Sequence, residues 1–474
     1  MGWTMASKVT ALLGSLLLAA AGANAQDAAK LQVNLDSSDS IKKAAKIVAE
    51  NLMTYYHGDE PGQTPGILPG PPPGGPYYWW QAGAMWGTIV DYWFYTGDTT
   101  YNDEALRSMV FQAEAPANSY MPRNWTASLG NDDQGFWGMA AMSAAETNFQ
   151  NPPEGQPQWL ALAQAVFNTQ AARWDTNTCN GGLHWQIPHT NGGYNYKNTI
   201  AQVVFLNLAA RLARYTKNET YAKWADTVYD WTRGVGYITD DWNVLDGGHE
   251  EYNCTDVNPV QFSANKALLI HGAAIMYNYT NGSDKWRTRV EGLLNHTIEF
   301  FFPEGIMVER ACELEDRVQC NVDQHSFKGY MHRALATVAV VAPFTRETIL
   351  RVLRSSTEGA VSSCLADGTC GFRWNTGSYD GDVDKGPAGQ QMSALAALST
   401  MLLDQEKVLQ GPLTNDTGGT SKGDPNAGID YNEITPLAPI TTGDRAGAGI
   451  VTVVILTSLL GSLVWMGMGW SEGA

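Results

Sequence analysis

Gly130-Asn131-Asp132-Asp133-Gln134-Gly135-Phe136-Trp137 sets two neighbouring carboxylates at the entry of an apolar helix that runs on through Met139, Ala140 and Met142. Its acids carry a chemical expectation. Cleaving a glycosidic bond takes one carboxylic acid to protonate the leaving oxygen and one carboxylate at the anomeric carbon, about 5 Å apart when configuration is retained. Neighbouring residues at a helix start meet that spacing. An aspartate at a helix start also serves as a cap, accepting orphan N–H bonds and complementing the macrodipole. On the pair alone both readings stand.

Outward from this stretch the same unit recurs: an apolar helical run, a loop rich in Gly, Asn or Asp, and another helical run. The periodicity predicts twelve helices, at about 40–56, 79–96, 102–112, 134–147, 157–173, 197–216, 219–235, 260–279, 283–301, 325–341, 345–357 and 387–405. Short hairpins are expected at Gly181 to Ile187 and at Gly305 to Glu309. Six helical hairpins close into a double ring, an (α/α)6 barrel of all-α class, with buried inner and amphipathic outer helices. An open solenoid is the competing architecture, but it needs polar caps at its ends and shows clearer internal repeats than this chain has. The Pro- and Gly-rich segment 58–76 excludes helix and central strand.

The ends carry other signals. Lys8, an apolar run from Val9 to Ala21 and Ala23-Asn24-Ala25 form a secretory signal peptide over residues 1–25. The barrel is assigned to 26–408 and a flexible polar linker to 409–443, where apolar periodicity stops and Gly, Thr, Ser, Asn, Asp and Pro dominate. Residues 444–474 contain the hydrophobic tract Ile450 to Met468, with only six residues beyond it and no basic flank. That pattern suits a removable glycosylphosphatidylinositol signal, with a retained membrane helix as the alternative. The expected location is the outer face of the plasma membrane and the cell wall.

Acceptors for N-glycosylation at Asn124, Asn218, Asn253, Asn278, Asn281, Asn295 and Asn415 agree with secretion. Six cysteines in an oxidising compartment imply disulfides. Six allow 15 pairings; short separations favour Cys312 with Cys320 and Cys364 with Cys370, leaving Cys179 with Cys254. No CxxC is present, so no zinc site is expected. Asp380-Gly381-Asp382-Val383-Asp384-Lys385-Gly386 opens like a calcium loop, but Lys385 and Gln391 stand where Gly and Glu belong. Gly248-His249-Glu250-Glu251 lacks a second histidine at i, i+4. No metal and no cofactor are expected. A formal charge of −18 argues against nucleic acid and anionic surfaces and is compatible with neutral polysaccharide. Seventeen Trp and 20 Tyr, several in glycine-rich segments, suit rings that stack on sugar faces as well as core packing.

Tyr78-Trp79-Trp80-Gln81-Ala82-Gly83, Gly130 to Gln134, Arg173-Trp174-Asp175 with Cys179 to Gln186, Tyr196-Lys197-Asn198, Phe327-Lys328-Gly329 and Gly389 to Ala394 together resemble the fungal, anchored branch of glycoside hydrolase family 76, the endo-acting α-1,6-mannanases. The resemblance spans residues 40 to 405 in order. It implies an (α/α)6 barrel and a retaining mechanism with Asp132 as nucleophile and Asp133 as acid/base. Trp79, Trp80 and Trp86 become the expected sugar-stacking wall, and Gln81, Asn131 and Asn198 the expected hydroxyl contacts. Asp175 orients a sugar or caps a loop. Lys266 in Gln261 to Lys266 departs from the family pattern; if that loop faces the cleft, substrate preference differs or activity is weak, which prompts the alternative of a binding protein.

The leading expectation is therefore a monomeric, lipid-anchored endo-α-1,6-mannosidase acting on mannan-like glycan of the wall or membrane, by hydrolysis or by transfer to another sugar. A carbohydrate-binding wall protein without turnover is one alternative. An inverting hydrolase of another helical-barrel family is the other, and it needs more distant acids.

Overall fold

The computed structural model describes residues 29–115, 117–125, 129–313, 319–381, 386–429 and 442–468. The described residues up to 429 form one compact unit and those from 442 another. The expected signal peptide lies outside the described residues, as does the Asp382 to Lys385 part of the calcium-like loop.

In the first unit all twelve expected helices are present: α1 (Ser38–Met53), α2 (Trp79–Thr96), α3 (Asn102–Ala113), α4 (Asn131–Glu146), α5 (Trp159–Ala172), α6 (Thr199–Thr216), α7 (Glu219–Gly234), α8 (Ser263–Tyr279), α9 (Asp284–Phe301), α10 (Phe327–Val341), α11 (Arg346–Ser362) and α12 (Ala388–Thr400). The even-numbered helices touch in sequence, and α12 returns to α2, so the inner ring closes. Odd-numbered helices pack outside it. Sequence explains the division. In α4 every residue except Asp133 is buried, and α12 is buried throughout, so neither has a solvent face. The outer α1 instead buries Ile41, Ala44, Ala45, Val48, Ala49 and Leu52, a single stripe at helical spacing.

Strand structure among the described residues is one antiparallel ribbon, β1 (Tyr196–Asn198) with β2 (Gly247–His249). Neither expected hairpin forms. At 181–187 the chain makes only a bridge from Gln186 to Gly130. Gly181 and Gly182 there adopt positive φ of 142° and 99° beneath the Trp231 ring, and the Gly181 carbonyl is taken by Lys197 Nζ, so no ladder can run through. At 303–305 a 3-10 turn replaces the strand.

A short helix α13 (Glu406–Leu409) follows the ring. Of the linker expected from 409, the described residues up to 429 lie against the barrel. Leu413 N–H bonds the Glu146 carbonyl at 2.8 Å and Asn415 N–H the Tyr215 carbonyl at 3.0 Å, both at C-terminal ends of inner helices. Ser421 Oγ accepts from Leu160 N–H at the start of α5 (2.9 Å), and Asn168 holds the Ala427 carbonyl (2.8 Å). Helix ends leave unpaired backbone groups, and this strap satisfies several of them.

The three disulfides are Cys179–Cys254, Cys312–Cys320 and Cys364–Cys370. All seven glycosylation acceptors are exposed. In the second unit the described residues form α14 (Thr442–Met468), whose Arg445–Met466 segment is long and apolar enough to cross a membrane.

Candidate active site

The site is built on the first turn of α4. Gly130 is its N-cap (φ −91°, ψ 162°), and the flanking segment pairs with the 185–187 chain: Asn131 N–H donates to the Trp185 carbonyl at 2.8 Å and Ile187 N–H to the Leu129 carbonyl at 2.9 Å. Only glycine fits here. A Cβ on residue 130 would fall 2.2 Å from Asp132 Oδ1, 3.1 Å from the Trp185 carbonyl and 3.2 Å from Asp133 Oδ2. Both acids thus crowd around one point.

Each carboxylate is oriented by backbone donors. Asp133 Oδ2 accepts from Gly130 N–H at 2.7 Å, so this residue does close the helix start as a cap. Asp132 Oδ1 accepts from Asp133 N–H at 3.0 Å, and Asp132 Oδ2 lies 3.5 Å from the Asn198 amide nitrogen. Asp132 is 8% exposed and Asp133 is half-buried. Capping and chemistry therefore coexist in the same residues.

Burial lifts Asp132 to about 7, although the Asp133 and Asp132 backbone N–H groups and the Asn198 amide pull the other way. Burial, followed by the neighbouring Asp132 charge, lifts Asp133 well above the carboxylate range. Two adjacent carboxylates cannot both ionise cheaply, so one keeps its proton at working pH. A third acid joins them. Asp323, in the turn before α10, acts on both and is itself raised by burial to about 6, with a hydrogen bond from the Trp80 side chain opposing. Trp80, Phe136 and Tyr330 form a ring cluster with centroids 4.5 to 6.3 Å apart.

The expected stacking wall is corrected by this arrangement. Trp86 is fully buried with its N–H on the Gly66 carbonyl, and Trp79 is buried with its N–H on Gln112 and its ring on Trp137. Both are core, because α2 is an inner helix with no solvent face. Trp80 is 8% exposed, packs on Phe136 of α4 and donates to Asp323. Gln81 is not a hydroxyl contact: it caps α2 at Tyr78 N–H and ties down the Val322 carbonyl at 3.1 Å. Asn131 is spent on the His184 carbonyl and on Arg173, so it too is structural. Asn198 alone of the three reaches the acid pair. Trp185 is an exposed ring whose backbone carbonyl holds Asn131 N–H and whose side chain lies over Gly193.

Asp175 is a loop organiser. It accepts from Asn177 and Thr178 N–H and from buried Lys197 Nζ at 2.9 Å, which with its hydrogen bonds holds it well below the usual carboxylate range despite partial burial. His184 and Glu250 gather around the same oxygens, but the Lys197 ammonium already supplies the positive charge that a metal ion would bring. Lys266 turns away from the cleft, donating to the Trp242 carbonyl and lying 3.2 Å from His296 on outer helix α9. His249 of the Gly248 to Glu251 motif pairs with Asp256.

The whole barrel matches the model of glycosyl hydrolase family 76, over residues 40–416. The chain belongs to that family. It is 45% identical over 470 residues to the mannan endo-1,6-alpha-mannosidase DCW1 of Saccharomyces cerevisiae, covering 98% of this chain and 99% of that protein. It is 41% identical to the DFG5 mannan endo-1,6-alpha-mannosidase of the same yeast, covering 92% and 94%. Among solved structures it resembles Dfg5 from Chaetomium thermophilum, crystallised with glucosamine, at a TM-score of 0.80 and 52% identity, covering 84% of this chain and 97% of that one. The α-1,6-mannanase of Salegentibacter shares the fold at a TM-score of 0.61 and 17% identity, covering 77% and 100%. Members of family 76 are (α/α)6 toroids, as this barrel is.

Proposed function

We propose that this family 76 chain is an endo-acting α-1,6-mannosidase that works with retention through Asp132 and Asp133. One observation carries the reading: two carboxylates meet at a single helix start, partly desolvated, with backbone donors aiming them and no ion pair to either among the described residues. The acid that ionises first attacks, and its protonated neighbour donates. Asp132 accepts from Asp133 N–H and faces the Asn198 amide, whereas Asp133 is raised further by the Asp132 charge beside it, so Asp132 is assigned the attack on the anomeric carbon. As its oxygen bonds to C1, the C1–O bond to the leaving sugar breaks and Asp133 delivers its proton to that oxygen. In the second half Asp133 takes a proton from the incoming hydroxyl, which displaces Asp132 and restores both groups.

Water or a sugar hydroxyl serves as acceptor, so hydrolysis and transglycosylation use one intermediate. The reading as a binding protein without turnover lost its prompt once Lys266 was found facing the outer helix. An N-terminal secretion signal and a C-terminal lipid-anchor signal complete the proposal and would hold the barrel beside wall and membrane glycans.

Incubating the purified full chain with α-1,6-mannan tests the proposal. Shortened products whose first-formed anomer retains configuration by proton NMR are expected, with Asp132→Asn and Asp133→Asn slowed by on the order of a thousandfold or more. Intact mannan in the presence of the parent, or inverted products, would contradict it.

A further inference from the structure

The axis of the inner ring is not filled by side chains. A cavity of about 100 Å³ runs between α2, α4, α8 and α10, from the Phe136 and Tyr330 rings to Gly411 and Pro412 where the strap begins. Its lining passes from buried to half-exposed at Asp91, Thr147, Thr337 and Pro412, which puts the mouth beside the strap. Glu146, on the chamber wall, closes α4, whereas Asp132 and Asp133 open it. At 1.5 Å per residue the two ends of that helix lie about 20 Å apart, so the chamber is distinct from the acid pair.

The polar side chains of this chamber are buried and only partly used. Glu146 is 5% exposed, and its Oε2 accepts from Arg211 Nη2 at 2.6 Å and Nε at 3.0 Å. Arg211 gives its remaining bonds to Ser143 Oγ at 2.9 Å and to the Met139 carbonyl at 3.3 Å. Glu146 Oε1 is buried with no hydrogen-bond partner among the described residues, and so is Nε2 of His271, which lines the same cavity from α8. Each such atom costs stability until something bonds it. The carboxylate oxygen requires a donor, and the imidazole nitrogen donates or accepts according to its tautomer.

Charge and size narrow the class of occupant. Asp91 is paired with Arg333 and Glu146 with Arg211, each at 2.6 Å, and burial together with those two guanidinium groups holds His271 well below its ordinary range and so neutral. The chamber thus carries no net charge for an ion to neutralise. Its volume takes several water molecules, or one small molecule in their place. We propose that this axial chamber is a second ligand site, which takes a small uncharged polyol of about three to six carbons, its hydroxyls on Glu146 Oε1 and His271 Nε2. A hydroxyl group donates to the first and bonds the second in either tautomer, which a carboxylate anion and a hydrocarbon do not. The carbon chain packs on Phe136 and Ala140.

Glycerol is the probe. Saturation-transfer NMR on the purified full chain, beside His271→Leu, Ala140→Leu and Asp132→Asn with melting temperatures recorded, tests the site. Saturable binding is expected in the parent and in Asp132→Asn, about tenfold weaker in His271→Leu, and none in Ala140→Leu, whose longer side chain enters the chamber. Should a chamber variant fail to fold, crystals of the parent soaked in glycerol decide: the polyol is expected within hydrogen-bond distance of Glu146 Oε1. Binding that survives Ala140→Leu overturns the proposal, as does binding that vanishes in Asp132→Asn, because glycerol then sits at the acid pair. Formate that binds as well as glycerol, or a chamber that holds water alone in the soaked crystals, overturns it too. None of these readouts uses mannan, so a parent that leaves mannan intact removes the enzymatic reading and leaves this one standing.

Discussion

The two ends of the inner ring are built from the same kinds of residues and treated in opposite ways. At the N-terminal ends, Asp132, Asp133 and Asp323 are all raised by burial, and none of them has an ion-pair partner among the described residues. At the C-terminal ends two acids of the inner helices are ion-paired. Glu146 meets Arg211 at 2.6 Å with both about 5% exposed, and Asp91 meets Arg333 at 2.6 Å. The strap 410–429 then covers that end and takes up carbonyls of α4 and α6. Buried charge is cheap when paired and costly when not, so the unpaired end marks where the fold gives up stability for chemistry.

The largest effect that separates the ends is on turnover. Asn at 132 or 133 removes a reacting group, whereas Arg211→Met at the far end should leave the kcat of the folded protein within a few-fold of the parent. Arg211→Met strands Glu146 as an unpaired buried charge and should cost about 3–5 kcal/mol in denaturant melts. Equal loss of turnover from both ends would erase the contrast.

A second effect runs opposite in sign to the loss of activity. Asp132 and Asp133 are raised in the folded state, so the folded protein holds protons that the unfolded chain has already released. Their ionisation therefore subtracts stability as pH climbs from the ordinary carboxylate range through about 7. Asp132→Asn should melt several degrees above the parent at pH 8 and show a much smaller gain near pH 4. Asp175 behaves in reverse: its lowered value adds stability above the ordinary carboxylate range that is lost as pH falls below it. A melting point for Asp132→Asn below the parent at pH 8 would break this part of the contrast.

The smallest effect belongs to the strap. Ser421→Ala removes the acceptor from Leu160 N–H at the start of α5 and should cost about 1 kcal/mol, lowering the melting point without touching turnover. An unchanged melting point would mean that water replaces the hydroxyl at no cost.

These contrasts also explain what could be read from the sequence. Helix periodicity carried the twelve helices, because apolar spacing is a local property that burial then uses. The acid pair was legible because both members sit in one turn. Asp323 was not: it lies 190 residues downstream of the pair, in a polar turn that reads as a helix start, and only closure of the ring brings it near. Trp79, Trp80 and Trp86 looked like a sugar platform, but the inner position of α2 turns two of them into core and leaves Trp80 to hold Asp323. The strap looked like a spacer because residues that cap helix ends, Ser, Thr, Asn and Gly, are the residues that linkers use. Periodicity shows which segments are helical; it does not show which polar residues those helices will claim.

The central claim is that Asp132 becomes covalently attached to the sugar. Treating the full chain with a 2-deoxy-2-fluoro mannosyl fluoride at neutral pH, digesting it and sequencing the modified peptide by mass spectrometry tests this most directly. The account predicts one adduct, on Asp132, absent in Asp132→Asn. A protein that stays unlabelled while still cleaving mannan, or a label on Asp133 or Asp323, would contradict it.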